Sequence, residues 1–261
     1  MRVYDFNRAI MRQPAPSVID GLRDGDGPPP TFPGIAAEHA AYASALEEAG
    51  VAVTSLPPLP AYPDAIFVED PALVFSEGAI RLRPGAPSRL GEGAALAPVL
   101  AAQFPRVLEL TDGYVDGGDV LVTPRAVFIG QSARTDRTGA EALASLLATL
   151  GKSATLVETP AGTLHLKSAV TLIDEETVLA TQAVAAAGIF RNFKVLVVPD
   201  KEAHGANVLR VNDVVLAGNR YPRTLDMLDS HGLEVRTLSV NGIVKIDAGL
   251  TCMSLRWWAD D

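Results

Sequence analysis

The chain has 261 residues, of which 48% are hydrophobic and 20% charged, as expected for a folded globular protein with a large core. Its formal net charge of −9, without a run of lysines or arginines, argues against nucleic acid or an anionic membrane surface as partner. A single cysteine excludes an intrachain disulfide, and no stretch approaches the roughly 18 apolar residues of a membrane-spanning helix.

The first segment, MRVYDFNRAIMRQP, has neither an apolar core nor a small-residue cleavage pattern, so we expect a cytoplasmic protein without a signal peptide. Residues 24–34 (DGDGPPPTFPG) are rich in proline and glycine, which predicts a mobile loop rather than a domain linker. The sequence leaves open whether this loop closes over a site as a lid.

Five stretches rich in alanine and leucine follow along the chain, each with helical i, i+3, i+4 spacing and each running into a short apolar strand. They are residues 38–56, 91–110, 138–158, 182–198 and 223–240. The predicted strands begin near Val51, Val107, Ala154, Val195 and Val235. These starts are 40 to 56 residues apart, a spacing typical of a repeat array.

A turn and a pair of strand-like runs come after each of these stretches, at residues 64–82, 115–130, 163–181, 206–219 and 248–258. The last pair lacks its second strand, which the N-terminal segment could supply, closing a ring. This order of helix, strand and hairpin favours a five-bladed α/β propeller over an open α/β sheet. We expect one domain over residues 1–261.

A polar or reactive residue stands where the first strand of each hairpin begins. The positions are Val68-Glu69-Asp70, Val115-Asp116, Leu164-His165, Ala206-Asn207 and Thr251-Cys252. Each has an ordinary structural explanation by itself, such as a buried thiol or a turn at Gly117 and Gly118 with unusual backbone angles. Strand starts in a propeller converge near its axis, and inward-pointing charges cost desolvation free energy. Their shared position in the repeat therefore favours a common pocket.

Nucleophilic catalysis is the chemistry that this set of residues could share. A thiolate attacks an electrophilic carbon, while an imidazole moves protons and a carboxylate orients the imidazole or the substrate. An excess of carboxylates favours a cation, and a planar guanidinium suits them best. The four histidines and the cysteine show no metal-ligand spacing and no phosphate-binding glycine motif is present, so we expect neither metal nor nucleotide.

Six segments resemble the dimethylarginine dimethylaminohydrolases, which belong to the guanidine-modifying superfamily with the five-bladed α/β-propeller (pentein) fold. They are DAIFVEDPALV, LRPGAPSR, DGGDVLVT, GQSARTDRTGAEAL, LHLKSAVTLID and GLTCMSL, and the resemblance extends over nearly the whole chain. It implies a single catalytic domain that hydrolyses Nω-methylated arginine to citrulline and methylamines through a covalent thiouronium on cysteine. It implies no cofactor.

The resemblance also implies roles for individual residues. Cys252 matches the nucleophile, His165 the general acid and base, and Asp116 an acidic residue near the histidine and the guanidinium. The implied substrate ligands are Asp70 at the guanidinium with Glu69 as a weaker neighbour, Arg89 and Arg134 at the α-carboxylate, and Asp64 and the Leu22 carbonyl at the amino-acid end. Leu90 stands where some relatives carry a second arginine, which affects only carboxylate binding.

Two other functions stay open at this point. Another enzyme of the superfamily would act on arginine or citrulline, whereas agmatine is disfavoured because Arg89 and Arg134 imply a free α-carboxylate. The same propeller also serves as a non-enzymatic ribosome-binding factor, which the acidic composition and the joint presence of Cys252, His165 and Asp116 argue against. The expected partner is a small guanidino amino acid, and a homodimer is left open.

Overall fold

Five three-stranded sheets make up the computed structural model, which describes residues 1–24 and 27–260. The strands in this part of the chain are β1 (Arg8–Arg12), β2 (Ala52–Leu56), β3 (Ala72–Phe75), β4 (Gly78–Arg81), β5 (Val107–Glu109), β6 (Val120–Val122), β7 (Val127–Gln131), β8 (Ala154–Glu158), β9 (Val170–Leu172), β10 (Thr177–Ala180), β11 (Lys194–Val197), β12 (Leu209–Val211), β13 (Val214–Gly218), β14 (Glu234–Leu238) and β15 (Leu255–Trp257).

Helices connect the sheets. Those of the described residues are α1 (Phe32–Glu48), α2 (Glu92–Gln103), α3 (Arg137–Thr149), α4 (Leu166–Ala169), α5 (Gln182–Ala186) and α6 (Pro222–Ser230). Each of the five predicted helical stretches overlaps one of them, although α1 begins six residues earlier than predicted, and α4 is a single extra turn inside a predicted hairpin. Side-chain caps start two of them, because Thr31 accepts the Gly34 N–H and Asp136 accepts the Gly139 N–H. None of these helices is long and apolar enough to cross a membrane.

Each sheet combines an antiparallel pair with a parallel pair. Leu73 of β3 lies opposite Ile80 of β4, and Ile80 in turn lies beside Leu108 of the parallel β5. The same order recurs in the sheets β6-β7-β8, β9-β10-β11 and β12-β13-β14. Apart from α4, each helix is followed by a strand that completes the sheet of the hairpin before that helix, since a parallel pair needs a crossover connection. The predicted repeat is confirmed, and each blade draws its strands from two successive units.

The fifth sheet joins the two ends of the chain. Ile10 of the central strand β1 lies opposite Leu255 of the antiparallel β15 and beside Thr54 of the parallel β2. The N-terminal segment therefore supplies the missing strand, as predicted. This pairing confirms the ring closure of a five-bladed α/β propeller.

The polar residues that were predicted to begin the strands instead precede them. Asp116 comes before a 3-10 turn (Gly117–Asp119), His165 before α4, and Cys252 lies within the 3-10 turn Leu250–Met253. Residues outside a strand ladder can direct their side chains along the propeller axis instead of into the sheet. These turns carry the functional groups to one place.

Close packing explains the glycine pair after Asp116. Neither Gly117 nor Gly118 has a left-handed φ, contrary to the expected unusual angles. A Cβ at Gly117 would lie 2.0 Å from the Glu69 carbonyl oxygen, and one at Gly118 would lie 2.8 Å from the His165 ring. Glycine is needed here because backbone and imidazole approach so closely.

Candidate active site

A cavity of about 90 Å³ opens where the turns before β3, β9 and β15 meet. Seven of the nine predicted site residues line it: Leu22, Asp64, Asp70, Arg89, Arg134, His165 and Cys252. Asp116 lies behind His165, whereas Glu69 faces elsewhere. The structure therefore brings together an imidazole, a thiol, carboxylates and guanidinium groups on one small surface.

His165 and Asp116 form a buried pair in this cavity wall. The imidazole Nε2 lies 2.9 Å from Asp116 Oδ2, and Asp116 Oδ1 accepts the Gly85 N–H at 2.8 Å. Burial disfavours the charged imidazolium, but the hydrogen bond to Asp116 and the charges of Asp70 and Asp119 outweigh it and raise the pKa of His165 to about 9. The imidazole is therefore a proton donor at neutral pH.

The thiol of Cys252 is held in its protonated form. Burial is the main cause, and the negative charges of Glu69 and Asp70 add to it, so the pKa of Cys252 rises to about 12. The turn is fixed from both sides, because the Cys252 N–H donates to the Gly249 carbonyl and its own carbonyl accepts the Glu69 N–H, each at 3.3 Å. A cation bound beside Asp70 would favour the thiolate.

Asp70 is paired with Arg89, a contact that the sequence did not predict. Asp70 Oδ2 accepts from Arg89 Nη1, and its Oδ1 accepts the Gly118 N–H at 2.9 Å. Arg89 is 4% exposed and also donates to Glu92 (Nη2 to Oε2, 2.7 Å) and to the Phe67 carbonyl (2.9 Å). All three guanidinium nitrogens of Arg89 thus bind protein acceptors.

Arg134 is more accessible than Arg89 in this cavity. Its side chain is 20% exposed, and its Nη1 lies 4.0 Å from Asp116 Oδ2. Leu90, which stands where some relatives carry arginine, is 43% exposed. Arg134 is therefore better placed than Arg89 to meet an incoming anionic group.

The chain before the predicted loop crosses the mouth of this cavity. The Leu22 N–H donates to Asp64 Oδ1 at 3.0 Å, and the Asp24 N–H donates to Asp247 Oδ2 at 2.6 Å. Both accepting carboxylates line the cavity. Of the loop at residues 24–34, residues 25 and 26 lie outside the described residues, so a closing lid stays untested.

Glu69 does not reach this cavity, which is at odds with its expected place beside the guanidinium. Its Oε1 accepts from Lys167 Nζ at 2.6 Å and from Arg256 Nη2 at 3.2 Å. It lines a second cavity of about 310 Å³ that shares no lining residue with the first. Both cations bind Oε1, whereas Oε2 is buried and has no hydrogen-bond partner among the described residues.

Three residues that support the site were missed in the sequence. Asp119 accepts from the hydroxyl groups of Ser132 (2.6 Å) and Thr135 (2.7 Å) and from the Leu166 N–H (2.8 Å). Glu92 holds Arg89, and Lys167 holds Glu69. The available signals were the second aspartate of DGGD, the i, i+3 spacing from Arg89 to Glu92, and a lysine two positions after the histidine.

Asp70, Asp116 and His165 also offer ligand atoms within 4.8 Å of one another. These atoms already have partners in the protein, since Asp70 pairs with Arg89 and His165 pairs with Asp116.

Known proteins resemble this chain in sequence. The family model described as "Arginine deiminase" matches residues 97–203. The chain is 34% identical over 254 residues to N(G),N(G)-dimethylarginine dimethylaminohydrolase of Pseudomonas aeruginosa, which covers 97% of this chain and 100% of that protein. The Streptomyces coelicolor protein of the same name is 32% identical over 259 residues, covering 95% of this chain and 96% of that one.

The fold comparison gives the same result. A solved structure of the Pseudomonas aeruginosa enzyme, a cysteine-to-serine mutant complexed with citrulline, matches with a TM-score of 0.94 at 33% identity. The match covers 97% of this chain and 100% of the other. Identity of about one third over the full length of both chains, on one shared pentein fold, makes this chain a member of the dimethylarginine dimethylaminohydrolase family.

Proposed function

We propose that this protein hydrolyses Nω-methylated arginine, namely asymmetric dimethylarginine and monomethylarginine, to citrulline and the corresponding methylamine. The observation that carries the proposal is the convergence of Cys252, His165 and Asp70 on one cavity, in a chain of this family. The relative solved with citrulline, the proposed product, supports it.

The first half of the reaction forms a covalent intermediate on Cys252. The substrate guanidinium lies against Asp70, and its positive charge lowers the pKa of the thiol, which loses its proton to solvent. The sulfur then bonds to the guanidinium carbon. Because Nε2 of His165 is bound to Asp116, Nδ1 is the nitrogen that gives its proton to the leaving amine. The carbon–nitrogen bond breaks, and a thiouronium remains.

The second half of the reaction releases citrulline. The neutral imidazole of His165 takes a proton from water, whose oxygen bonds to the same carbon. The carbon–sulfur bond then breaks as the carbonyl forms, and the hydroxyl proton returns to the sulfur. Asp116 orients the imidazole in both halves and stabilises its charged form.

Substrate placement follows from the charges around the cavity. Arg134 binds the α-carboxylate, and Arg89 adds its charge while it holds Asp70 in position. Asp64 and the Leu22 carbonyl receive the α-amino group. Glu69 does not contact the substrate in this scheme and instead supports the site through Lys167 and Arg256.

Hydrolysis of unmethylated arginine is a second candidate, favoured by the match of residues 97–203 to the arginine deiminase family model. Both reactions yield citrulline, but one releases ammonia and the other a methylamine. The deciding difference is the room around the distal guanidinium nitrogens.

The test incubates the protein with asymmetric dimethylarginine, arginine and citrulline in parallel and assays citrulline, ammonia and methylamines. We expect citrulline and dimethylamine from the methylated substrate, and none from a folded Cys252→Ser variant. Release of ammonia from arginine, without any turnover of dimethylarginine, would favour the second candidate. Turnover by the serine variant, or inactivity of the wild type on dimethylarginine, would refute the proposal.

Three broader expectations accompany this function. We propose that residues 1–261 form one catalytic domain, supported by the pairing of β1 with β15, which joins the chain ends in one sheet. A cytoplasmic location fits the absence of disulfide-forming cysteines, since Cys252 has no second cysteine to pair with. A homodimer stays a prediction, and light scattering at several concentrations would measure it.

A further inference from the structure

Asn207 stands at one of the five predicted strand starts, and the proposed reaction gives it no role. It is 9% exposed, and its carboxamide is fully bonded. Nδ2 donates to the Lys167 carbonyl at 2.9 Å and to Thr251 Oγ1 at 3.2 Å, while Oδ1 accepts the Thr251 N–H at 3.2 Å. A carbonyl only accepts and an N–H only donates, so these partners fix which way the amide points.

The bonded partners lie next to the two reacting groups. Lys167 is two residues beyond His165, and Thr251 directly precedes Cys252. The hydroxyl that Asn207 binds lies 4.0 Å from the Cys252 sulfur. One side chain therefore ties the backbone that carries the acid to the backbone that carries the thiol.

The backbone at Gly249 packs closely against the Asn207 carboxamide and restricts its position. A Cβ at Gly249 would lie 2.2 Å from Asn207 Cγ, so the segment leading to Cys252 passes directly over the carboxamide. Only glycine allows an approach this close. The position of the turn Leu250–Met253 depends on this contact as well as on the three hydrogen bonds.

We propose that Asn207 is a positioning residue that sets the place of the Cys252 thiol relative to the His165 imidazole. It lines an adjoining cavity of about 20 Å³, which shares Asp247 and Ala248 with the cavity that holds Cys252, and it is not among the lining residues of that second cavity. The proposal rests on the proposed function only for the catalytic consequence. A misplacement of about 1 Å between reacting groups is enough to cost on the order of 10²-fold in rate.

The test compares Asn207→Ala and Asn207→Ser with Thr171→Val. Asn207→Ser keeps a small uncharged polar side chain that is too short to join both segments, so the two variants remove the tie without adding a charge near the thiol. Thr171→Val is the matched control, because it deletes a buried 2.9 Å hydrogen bond to the carbonyl of neighbouring Ala206 without touching either reacting segment. Thermal unfolding establishes that each variant is folded.

Two measurements distinguish an effect of Asn207 on the position of the thiol from an effect on the stability of the fold. Cys252 is the only cysteine, so the rate of iodoacetamide alkylation as a function of pH reports on this thiol alone and needs no substrate. We expect both Asn207 variants to shift this profile and to lower kcat by about 10²-fold, with KM changed less than about threefold. Thr171→Val should leave profile and kcat unchanged.

Two results would overturn the proposal. One is a folded Asn207 variant with the wild-type alkylation profile, and the other is an equal decrease of kcat in Thr171→Val. Because alkylation is independent of turnover, a wild type inactive on methylarginine would refute the proposed function and leave this result interpretable.

Discussion

Cys252 and His165 border one cavity, yet their surroundings keep both of them protonated when no ligand is bound. Burial together with Glu69 and Asp70 raises the thiol pKa to about 12, while Asp116 and its acidic neighbours raise the imidazole pKa to about 9. A cation in the cavity acts against both effects, since it favours the thiolate and promotes proton loss from the imidazolium. The positive charge of a bound substrate would therefore favour the thiolate that the proposed reaction needs.

The His165–Asp116 pair leads to a prediction about stability and pH. The folded-state pKa of His165 is raised from 6.5 to about 9, so the pair's contribution is complete below pH 6.5 and is lost as the pH rises through 9. The difference in free energy of unfolding between wild type and His165→Asn should therefore shrink over that window. Denaturant unfolding at neutral and alkaline pH measures it.

His39→Asn is the control for this experiment. Burial lowers the pKa of His39 to about 4, so this histidine is neutral throughout the same window. The difference in free energy of unfolding between His39→Asn and wild type should not change between neutral and alkaline pH. An equal pH dependence in the two variants would contradict the assignment to His165.

Ion pairs hold the elements around the cavity at fixed distances. Glu69 lies just before β3, Lys167 in α4 and Arg256 in β15, so their cluster joins three blades. Arg256 Nη1 also donates to the carbonyl groups of Thr251 (3.1 Å) and Ser254 (2.6 Å), on either side of Cys252. These contacts anchor the elements that carry Asp70, His165 and Cys252.

Removing Lys167 should weaken this cluster far more than an equivalent change at the surface. Lys167→Met takes a buried partner from Glu69, and we expect a loss of about 3 kcal/mol in free energy of unfolding. Lys152→Met is the matched control, because Lys152 forms a 2.6 Å pair with Glu77 but its side chain is 29% exposed. This substitution should lower the free energy of unfolding by at most about 1 kcal/mol. Urea unfolding compares them, and equal losses would refute the buried cluster's role.

Ring closure is the feature of the whole molecule on which the site depends. β1 pairs on one edge with β15, which follows the Cys252 turn, and on the other with β2. Asn212 adds a further tie, because its side chain binds both the N–H (2.8 Å) and the carbonyl (3.0 Å) of Phe6. The first residues of the chain thus fix the last blade, although 252 positions separate bonded groups such as Asn7 and Ala259.

A proline in the central strand of this blade should open the ring. Ile10 is fully buried and lies between Leu255 and Thr54, and proline there removes a ladder hydrogen bond and strains both pairs. We expect Ile10→Pro to lower the free energy of unfolding by more than about 3 kcal/mol and to abolish activity. Ile10→Val should lower the free energy of unfolding by about 1 kcal/mol and stay active. Circular dichroism and turnover measure this, and an active proline variant would contradict closure through β1.

The repeat, the helices and the N-terminal closing strand follow from the amino-acid sequence, as does the grouping of Cys252, His165 and Asp116 around one cavity. These were predictable because helical and strand periodicity is local, and because equal position in a repeat implies equal position in a blade. The same reasoning located Asp70, although not its partner.

The directions of the side chains and their binding partners, in contrast, depend on the packed fold. Glu69 turns away to Arg256, 187 residues distant along the chain, and Arg89 pairs with Asp70 instead of standing free. Asn207 ties the His165 and Cys252 segments, which no local pattern indicates. Such choices follow from charge neutralisation and hydrogen bonding between distant segments, and these depend on the packed fold rather than on neighbouring residues.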